Sequence, residues 1–311
     1  MFSLIKKEKF KSCKIEYQNP KTSLLYFSFD PINNQDIEKN LQESFLQRVL
    51  ISDKVIYSID DFYLSEDAVS LQKFSENATF SRNSYGSIEG IQDGEKPAKS
   101  MDGKERWLFF SNPPKPIEKV YQFLSYLSHH LKCEVMTMPW ELFDGQVASP
   151  ATIANFVDEV SVESMKKGRH KDYNSLKGLP FTIPNLFSNT DGHQTFENGA
   201  TGKPYLLSLM IYSCSENFLP EYEMGTIFYS DCLSFSISSK CKNMRMVLFE
   251  GDIDHSIAKS NFSAGIKTWR VSYVYKLIFN PKKEDQIIKQ DLFVLLEEKV
   301  QRKSDKSEYF F

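Results

Sequence analysis

Cysteine is scarce and poorly placed for structural work: there are five in 311 residues, Cys13, Cys133, Cys214, Cys232 and Cys241, without a CxxC pair. Their odd number leaves at least one outside any disulfide scheme, so a disulfide framework is set aside and a reducing, cytoplasmic setting is expected. Long apolar runs are also missing. No stretch reaches the roughly 18 apolar residues that a spanning helix needs. The opening MFSLIKKEKFKSCK breaks into lysines too early for the apolar stretch of a secretion signal. Charge of one sign is not in excess either, with 38 Lys and Arg against 41 Asp and Glu and a net charge of −3. No global field argues for nucleic acid or for an acidic membrane surface. What is present is 41% hydrophobic and 25% charged residues, an ordinary globular balance, so a packed core is expected and function must reside in local sites.

The two halves of the chain differ in texture. From Asp36 to Leu50 apolar residues recur at helical spacing (Ile37, Leu41, Phe45, Leu46, Val49, Leu50), and the β-rich run Val55 to Ile59 follows. In DDFYLSEDAVSLQKF, Ser65 is placed to cap a helix with Glu66 and Asp67 in its first turn and Val69, Leu71 and Phe74 on its buried face. A Gly, Asn and Ser-rich loop is expected from about Ser81 to Gly103. After NPPKP at 112–116, a further helix carries Ile117, Val120, Tyr121, Leu124, Leu127 and Leu131 along one side and ends near His129 and His130. Residues 1–150 therefore read as a helix-rich support region.

Beyond Pro150, β-rich stretches at 156–165, 205–213, 226–237, 244–250 and 268–279 are separated by turn-forming residues. Several short strands without intervening helices point to an antiparallel barrel or two-sheet jelly roll over 151–280. Residues 173–204 are too long and too rich in Gly, Pro and Asn for a hairpin connection, and mark a functional cover or a disordered segment. Residues 283–303 place Ile287, Ile288, Leu292, Leu295, Leu296 and Val300 on one stripe, so a closing helix is expected within 281–311. Taken together, the pattern reads as one α+β domain over 1–311.

The chemistry-bearing residues gather in the second half. His170 and Asp172 lie two positions apart, which puts both side chains on one face of a strand and lets them grip one metal. Such a pair arises readily by chance, so its neighbours matter. His255, in RMVLFEGDIDHSI, follows an apolar strand and a Gly251 turn that can return one imidazole to the same end of a barrel. Arg270 opens WRVSYVYKLIF, whose alternation sends Arg270, Ser272 and Val274 to one face. Two imidazoles and a carboxylate on one side of a metal leave the opposite positions open, as non-haem Fe(II) oxygenases require. A guanidinium nearby matches a carboxylate with two parallel hydrogen bonds.

This order, HKD at 170–172, then His255 in DHSI, then RVS at 270–272, resembles the Fe(II)- and 2-oxoglutarate-dependent dioxygenases with a double-stranded β-helix core. The likeness covers roughly residues 55–280, with DDFYLSEDAVSLQKF, PYLLSLMIYS and EYEMGTIFYS as softer matches. It implies a hydroxylase in which His170, Asp172 and His255 bind Fe(II), and Arg270 with Ser272 holds the far carboxylate of 2-oxoglutarate. Tyr212 or Tyr205 is then available to donate to the same cosubstrate, and Lys276, on the face of Arg270, is an alternative carboxylate partner. The implied reaction consumes O2, releases succinate and CO2 and oxidises an unidentified organic substrate. No subfamily matches, and the 173–204 insert and MPWELFDG at 139–145 point to no substrate class. His193, in the insert, is a competing ligand without a second ligand at strand spacing. Lys166, Lys167, Arg169, Lys171 and Lys177 can attract an anion or a phosphate backbone, although a solvated edge explains them as well. The alternative to the enzyme is a jelly-roll binding module that performs no chemistry.

Overall fold

The computed structural model describes residues 14–18, 25–78, 80–82, 99–101, 113–137, 152–158, 169, 171–172, 194–195, 201–202, 205–258, 261, 266–280 and 288–302. Four helices are formed among them: α1 (Gln35–Glu43), α2 (Ser65–Asn77), α3 (Lys115–Leu131) and α4 (Ile288–Lys299). The strands of the amino-terminal half are β1 (Lys14–Gln18), β2 (Leu25–Phe29), β3 (Phe45–Ile51), β4 (Lys54–Asp60), β5 (Phe80–Arg82), β6 (Lys99–Met101) and β7 (Glu134–Thr137). Those that follow are β8 (Thr152–Asp158), β9 (Gln194–Thr195), β10 (Thr201–Gly202), β11 (Tyr205–Cys214) and β12 (Thr226–Tyr229). The last are β13 (Ser236–Ser239), β14 (Met246–Glu250), β15 (Asp254–Ile257), β16 (Trp269–Asn280) and β17 (Gln301–Arg302).

The main sheet runs β1-β2-β7-β16-β11-β14-β4-β3-β17, with β8 also on β16 and β6 and β5 beyond it. Its pairings are antiparallel except for the short β17 beside β3. The long strand β16 is shared on one side: residues 269–275 pair with β8 and residues 277–280 with β7. A separate sheet of three strands has the order β13-β12-β15. Mixed helix and antiparallel sheet make this an α+β protein.

Strand alternation assigns the two faces of the main sheet to different neighbours. On β16, Val271, Tyr273, Tyr275, Leu277 and Phe279 join Leu207, Leu209 and Ile211 of β11 in a core beneath the helices. That core takes Ile37 and Leu41 from α1, Leu71 from α2, Ile117, Val120, Leu124, Leu127 and Leu131 from α3, and Leu292 and Leu296 from α4. Each fully buried aliphatic or Phe side chain contributes about 1.5–3 kcal/mol. The opposite face presents Met210, Tyr212, Cys214, Val247, Phe249 and Val274, packed with Phe228 and Ile253 near the small sheet. Helices, main sheet and small sheet are thus stacked layers, and the residues of the opposite face lie between the two sheets.

Local chemistry explains the element boundaries. The Asn34 side chain caps α1 by accepting from the backbone N–H groups of Asp36 and Ile37 at 3.0 and 3.3 Å. α3 begins with a proline in its first turn and stops at Lys132, which takes the left-handed conformation with φ 51°. Its predicted apolar face is buried throughout.

Two expectations need correction. The helical period read over Asp36 to Leu50 covers α1 and then a strand, because Ser44 turns the chain and β3 finds a partner in β4 over its whole length. Pairing of this kind overrides a periodicity that Phe45, Leu46 and Val49 satisfy only by coincidence. Ser65 is not the cap of α2: Leu64 occupies that position, and the Asp67 carboxylate accepts from the Leu64 N–H at 3.0 Å. Val69 is half exposed, while Leu71 is buried as expected. Among the described residues of the first 150, seven strands accompany the helices and belong to the main sheet. Most of 173–204, and the whole of 139–145, lie outside the described residues.

Candidate functional site

The site is built on the register of two neighbouring strands. On the face turned towards the small sheet, β11 presents Ser208, Met210, Tyr212 and Cys214, and these oppose Lys276, Val274, Ser272 and Arg270 of β16 in turn. Polar residues occupy the two ends of this double row and apolar residues its middle. From the small sheet, β15 contributes His255, which pairs with Phe228 of β12. Gly225 makes the approach of β12 to β13 feasible: a Cβ there would lie 2.0 Å from the Ser239 carbonyl oxygen.

Asp172 and His255 come together at one end. The His255 Nε2 lies 4.0 Å from Asp172 Oδ2. The other ring nitrogen, Nδ1, is 2.9 Å from the Ile253 carbonyl oxygen. A carbonyl can only accept, so Nδ1 carries a proton and donates it to Ile253, which leaves Nε2 as the ring nitrogen that faces the carboxylate. At 4.0 Å the two are too far apart for a hydrogen bond. They nevertheless bring one nitrogen and one oxygen, both of types that ligate metals, to the same end of the site. An imidazole ligand that donates its second N–H to a backbone carbonyl is the usual orientation in metal sites. Both groups are buried, and the Phe228 and Phe249 rings lie against the imidazole at 6.1 and 5.0 Å between centroids.

The Asp172 carboxylate is gripped from the main sheet. Ser208 Oγ donates to Oδ2 at 2.6 Å, and Lys276 Nζ lies 2.9 Å from Oδ1. Lys276 is 3% exposed, so this ion pair is buried and weakly screened. Arg169 extends the same attachment outwards: its guanidinium is 2.9 Å from Asp254 and its Cζ is 5.0 Å from the centre of the Tyr229 ring. Arg169 is therefore tied to β15 and Asp172 to β11 and β16. His170 itself lies outside the described residues, as do His193, Lys166, Lys167 and Lys177. Among the described residues no group of three His, Cys, Asp or Glu side chains gathers at metal-binding distance.

Arg270 marks the other end. It is 0% exposed, yet none of its three guanidinium nitrogens has a hydrogen-bond partner among the described residues. A buried guanidinium costs several kcal/mol of lost hydration unless an anion or acceptors replace the water. Its Cζ stands 5.4 Å from the centre of the Tyr212 ring, a cation–π contact that offsets only part of that cost. The Tyr212 hydroxyl shares a 2.7 Å hydrogen bond with Thr226 Oγ1, and burial raises its pKa, so it stays protonated and can donate. Ser272 is also buried and lies directly opposite Tyr212. Of the two tyrosines considered from sequence, Tyr205 belongs to the helix-facing core and Tyr212 to the site side.

Sequence reasoning named Asp172, His255, Arg270, Ser272 and Tyr212, and all five face the space between the sheets. It missed the role of Ser208 and the pairing of Lys276 with Asp172. The signal was available in part, because Lys276 shares the parity of Arg270; that Ser208 faces it required the strand register. His129 and His130 close the last turn of α3, as expected, with the His130 ring 4.1 Å from that of Tyr126. No protein-family model and no curated protein matches the chain.

Proposed function

We propose that the chain is an Fe(II)- and 2-oxoglutarate-dependent dioxygenase, a hydroxylase of an organic substrate, whose two facing sheets form a double-stranded β-helix. The observation that carries this reading is the Arg270 guanidinium, fully buried and without an acceptor among the described residues. It fits a site that awaits a carboxylate. The approach of His255 Nε2 to Asp172 Oδ2, at 4.0 Å, adds a second fit, since it brings two groups able to ligate iron to one place.

In this reading His170, Asp172 and His255 hold the iron. Arg270, with Ser272 and the Tyr212 hydroxyl, binds the far carboxylate of the cosubstrate through charge-assisted hydrogen bonds. Met210, Val274, Phe228 and Phe249 keep the space between the two polar ends apolar, which strengthens each electrostatic contact there and excludes water. The bound iron and 2-oxoglutarate supply the oxidation, in which O2 is consumed, succinate and CO2 leave and one oxygen atom enters the substrate. The protein contributes placement, dryness and charge.

Succinate formation from 2-oxoglutarate with Fe(II) and O2 tests this, with His170→Ala and Asp172→Ala as controls. Metal-dependent succinate that both substitutions abolish is the expected result. No turnover together with no stoichiometric iron would overturn it. One observation favours a second reading, a binding module without chemistry: Lys276 already neutralises Asp172 at 2.9 Å. Metal content separates the two.

A further inference from the structure

Resting on the iron-site reading above, we propose that Lys276 and Ser208 are a cross-strand positioning pair that orients Asp172 as a one-toothed metal ligand. The two residues oppose each other directly in the register of β11 and β16. Each takes a different oxygen of the same carboxylate: Lys276 Nζ holds Oδ1 at 2.9 Å, and Ser208 Oγ donates to Oδ2 at 2.6 Å. Ser208, Asp172 and Lys276 are all buried.

The division of labour between the oxygens is what matters. Oδ2 is the oxygen that faces His255 Nε2 at 4.0 Å. Oδ1 is paired with an ammonium, so a metal that took both oxygens would have to approach a buried positive charge, whereas the hydroxyl on Oδ2 carries no charge to repel it. A carboxylate held in this way offers one oxygen to a metal and keeps its second oxygen out of the coordination sphere. The coordination position that a two-toothed carboxylate would fill is thereby left for cosubstrate and O2. The orientation comes from the main sheet, whose paired strands are rigid, rather than from the stretch that carries Asp172.

A neighbouring ammonium also has a simpler effect, which makes the proposal refutable. As a bare positive charge Lys276 would repel a metal ion, and its removal would tighten metal binding. As a positioning group, its removal frees the carboxylate and weakens binding, as loss of partners outside the ligand sphere does by about 10–100-fold.

The test is Co(II) titration of the metal-free protein, following the visible ligand-field absorption of the bound ion, for wild type, Lys276→Met and Ser208→Ala. Mn(II) binding measured by paramagnetic resonance provides a second affinity. Both variants are expected to bind Co(II) at least about 10-fold more weakly than wild type, with an altered band intensity that reports a changed coordination number. A purely structural role would lower thermal stability and leave the spectrum of the bound ion unchanged. Equal or tighter binding with the wild-type spectrum overturns the proposal. Should Lys276→Met not fold, Ser208→Ala decides alone, because it removes one oxygen and leaves the ion pair intact. A wild-type protein that takes up neither Co(II) nor Mn(II) overturns the iron-site reading itself, a result distinct from unchanged variants.

Discussion

Arg270 is the residue whose burial is most costly for what it can offer in return, a cation ready for an anionic ligand. Its guanidinium is withdrawn from water without acceptors among the described residues. Uncompensated buried charge is destabilising, and apolar replacement of buried ionic groups is often neutral or stabilising by about 1–4 kcal/mol. Arg270→Met is therefore expected to unfold at the same temperature as wild type or higher in the absence of ligands. Under the proposed function, 2-oxoglutarate with Mn(II) is expected to raise the Tm of wild type and to leave that of the variant unchanged. Scanning calorimetry with and without the two ligands measures both, and a variant that is less stable when empty yet still stabilised by 2-oxoglutarate would remove Arg270 from the cosubstrate site. Lys276 differs in kind: its ammonium already has the Asp172 carboxylate as a counter-charge.

At the level of elements, alternation along β11 and β16 accomplishes two tasks with one pair of strands. Their odd-numbered residues build the core under the helices and their even-numbered ones the space between the sheets. Period-2 patterning was legible in WRVSYVYKLIF, so the shared face of Arg270, Ser272 and Lys276 could be read from sequence. Helical periodicity at Phe45, Leu46 and Val49 misled, because the residues of β3 answer to β4 across the sheet, a partner that no local pattern reveals. Gly225 shows the same dependence on distant chain. Substitution by Ala drives a methyl group into the Ser239 carbonyl, where backbone rather than a flexible side chain must yield. Gly225→Ala is expected to cost at least about 1–3 kcal/mol by overpacking, and to disturb β12 and with it the Tyr212–Thr226 contact. Urea unfolding measures the cost; a midpoint equal to that of wild type would show that the strands separate freely.

The whole molecule is tied across its sheet by a buried pair at the ends of β4 and β14. Arg245 donates to both oxygens of Asp60, each at 2.8 Å, and Lys242 lies 3.3 Å from Oδ2. Burial pushes the Asp60 pKa up, but the hydrogen bonds and charge of Arg245, aided by Lys242, outweigh it and hold the carboxyl below its ordinary value. A carboxyl depressed on folding adds stability that is fully present above its unfolded pKa of about 3.9 and is lost as pH falls through the lower folded value. Wild type should therefore lose stability as pH falls from about 5 towards 3, whereas Asp60→Asn should show a flatter acid limb. At neutral pH the variant should be weaker by about 3–5 kcal/mol, since Arg245 is left buried without its counter-charge. Denaturant midpoints across pH check both, and an unchanged acid limb would remove Asp60 from the account. At this scale the division between reading and folding becomes clear. The order of residues alone was enough for the helix over Lys115–Leu131, the strand-rich second half and the candidates Asp172, His255 and Arg270, because each depends on local periodicity or on residue chemistry. The joining of seven amino-terminal strands to the main sheet, the grip of Ser208 and Lys276 on Asp172 and the isolation of the Arg270 guanidinium depend instead on strand register and burial. Those are relations between segments far apart in the chain, and they come into being only when the two sheets close on each other.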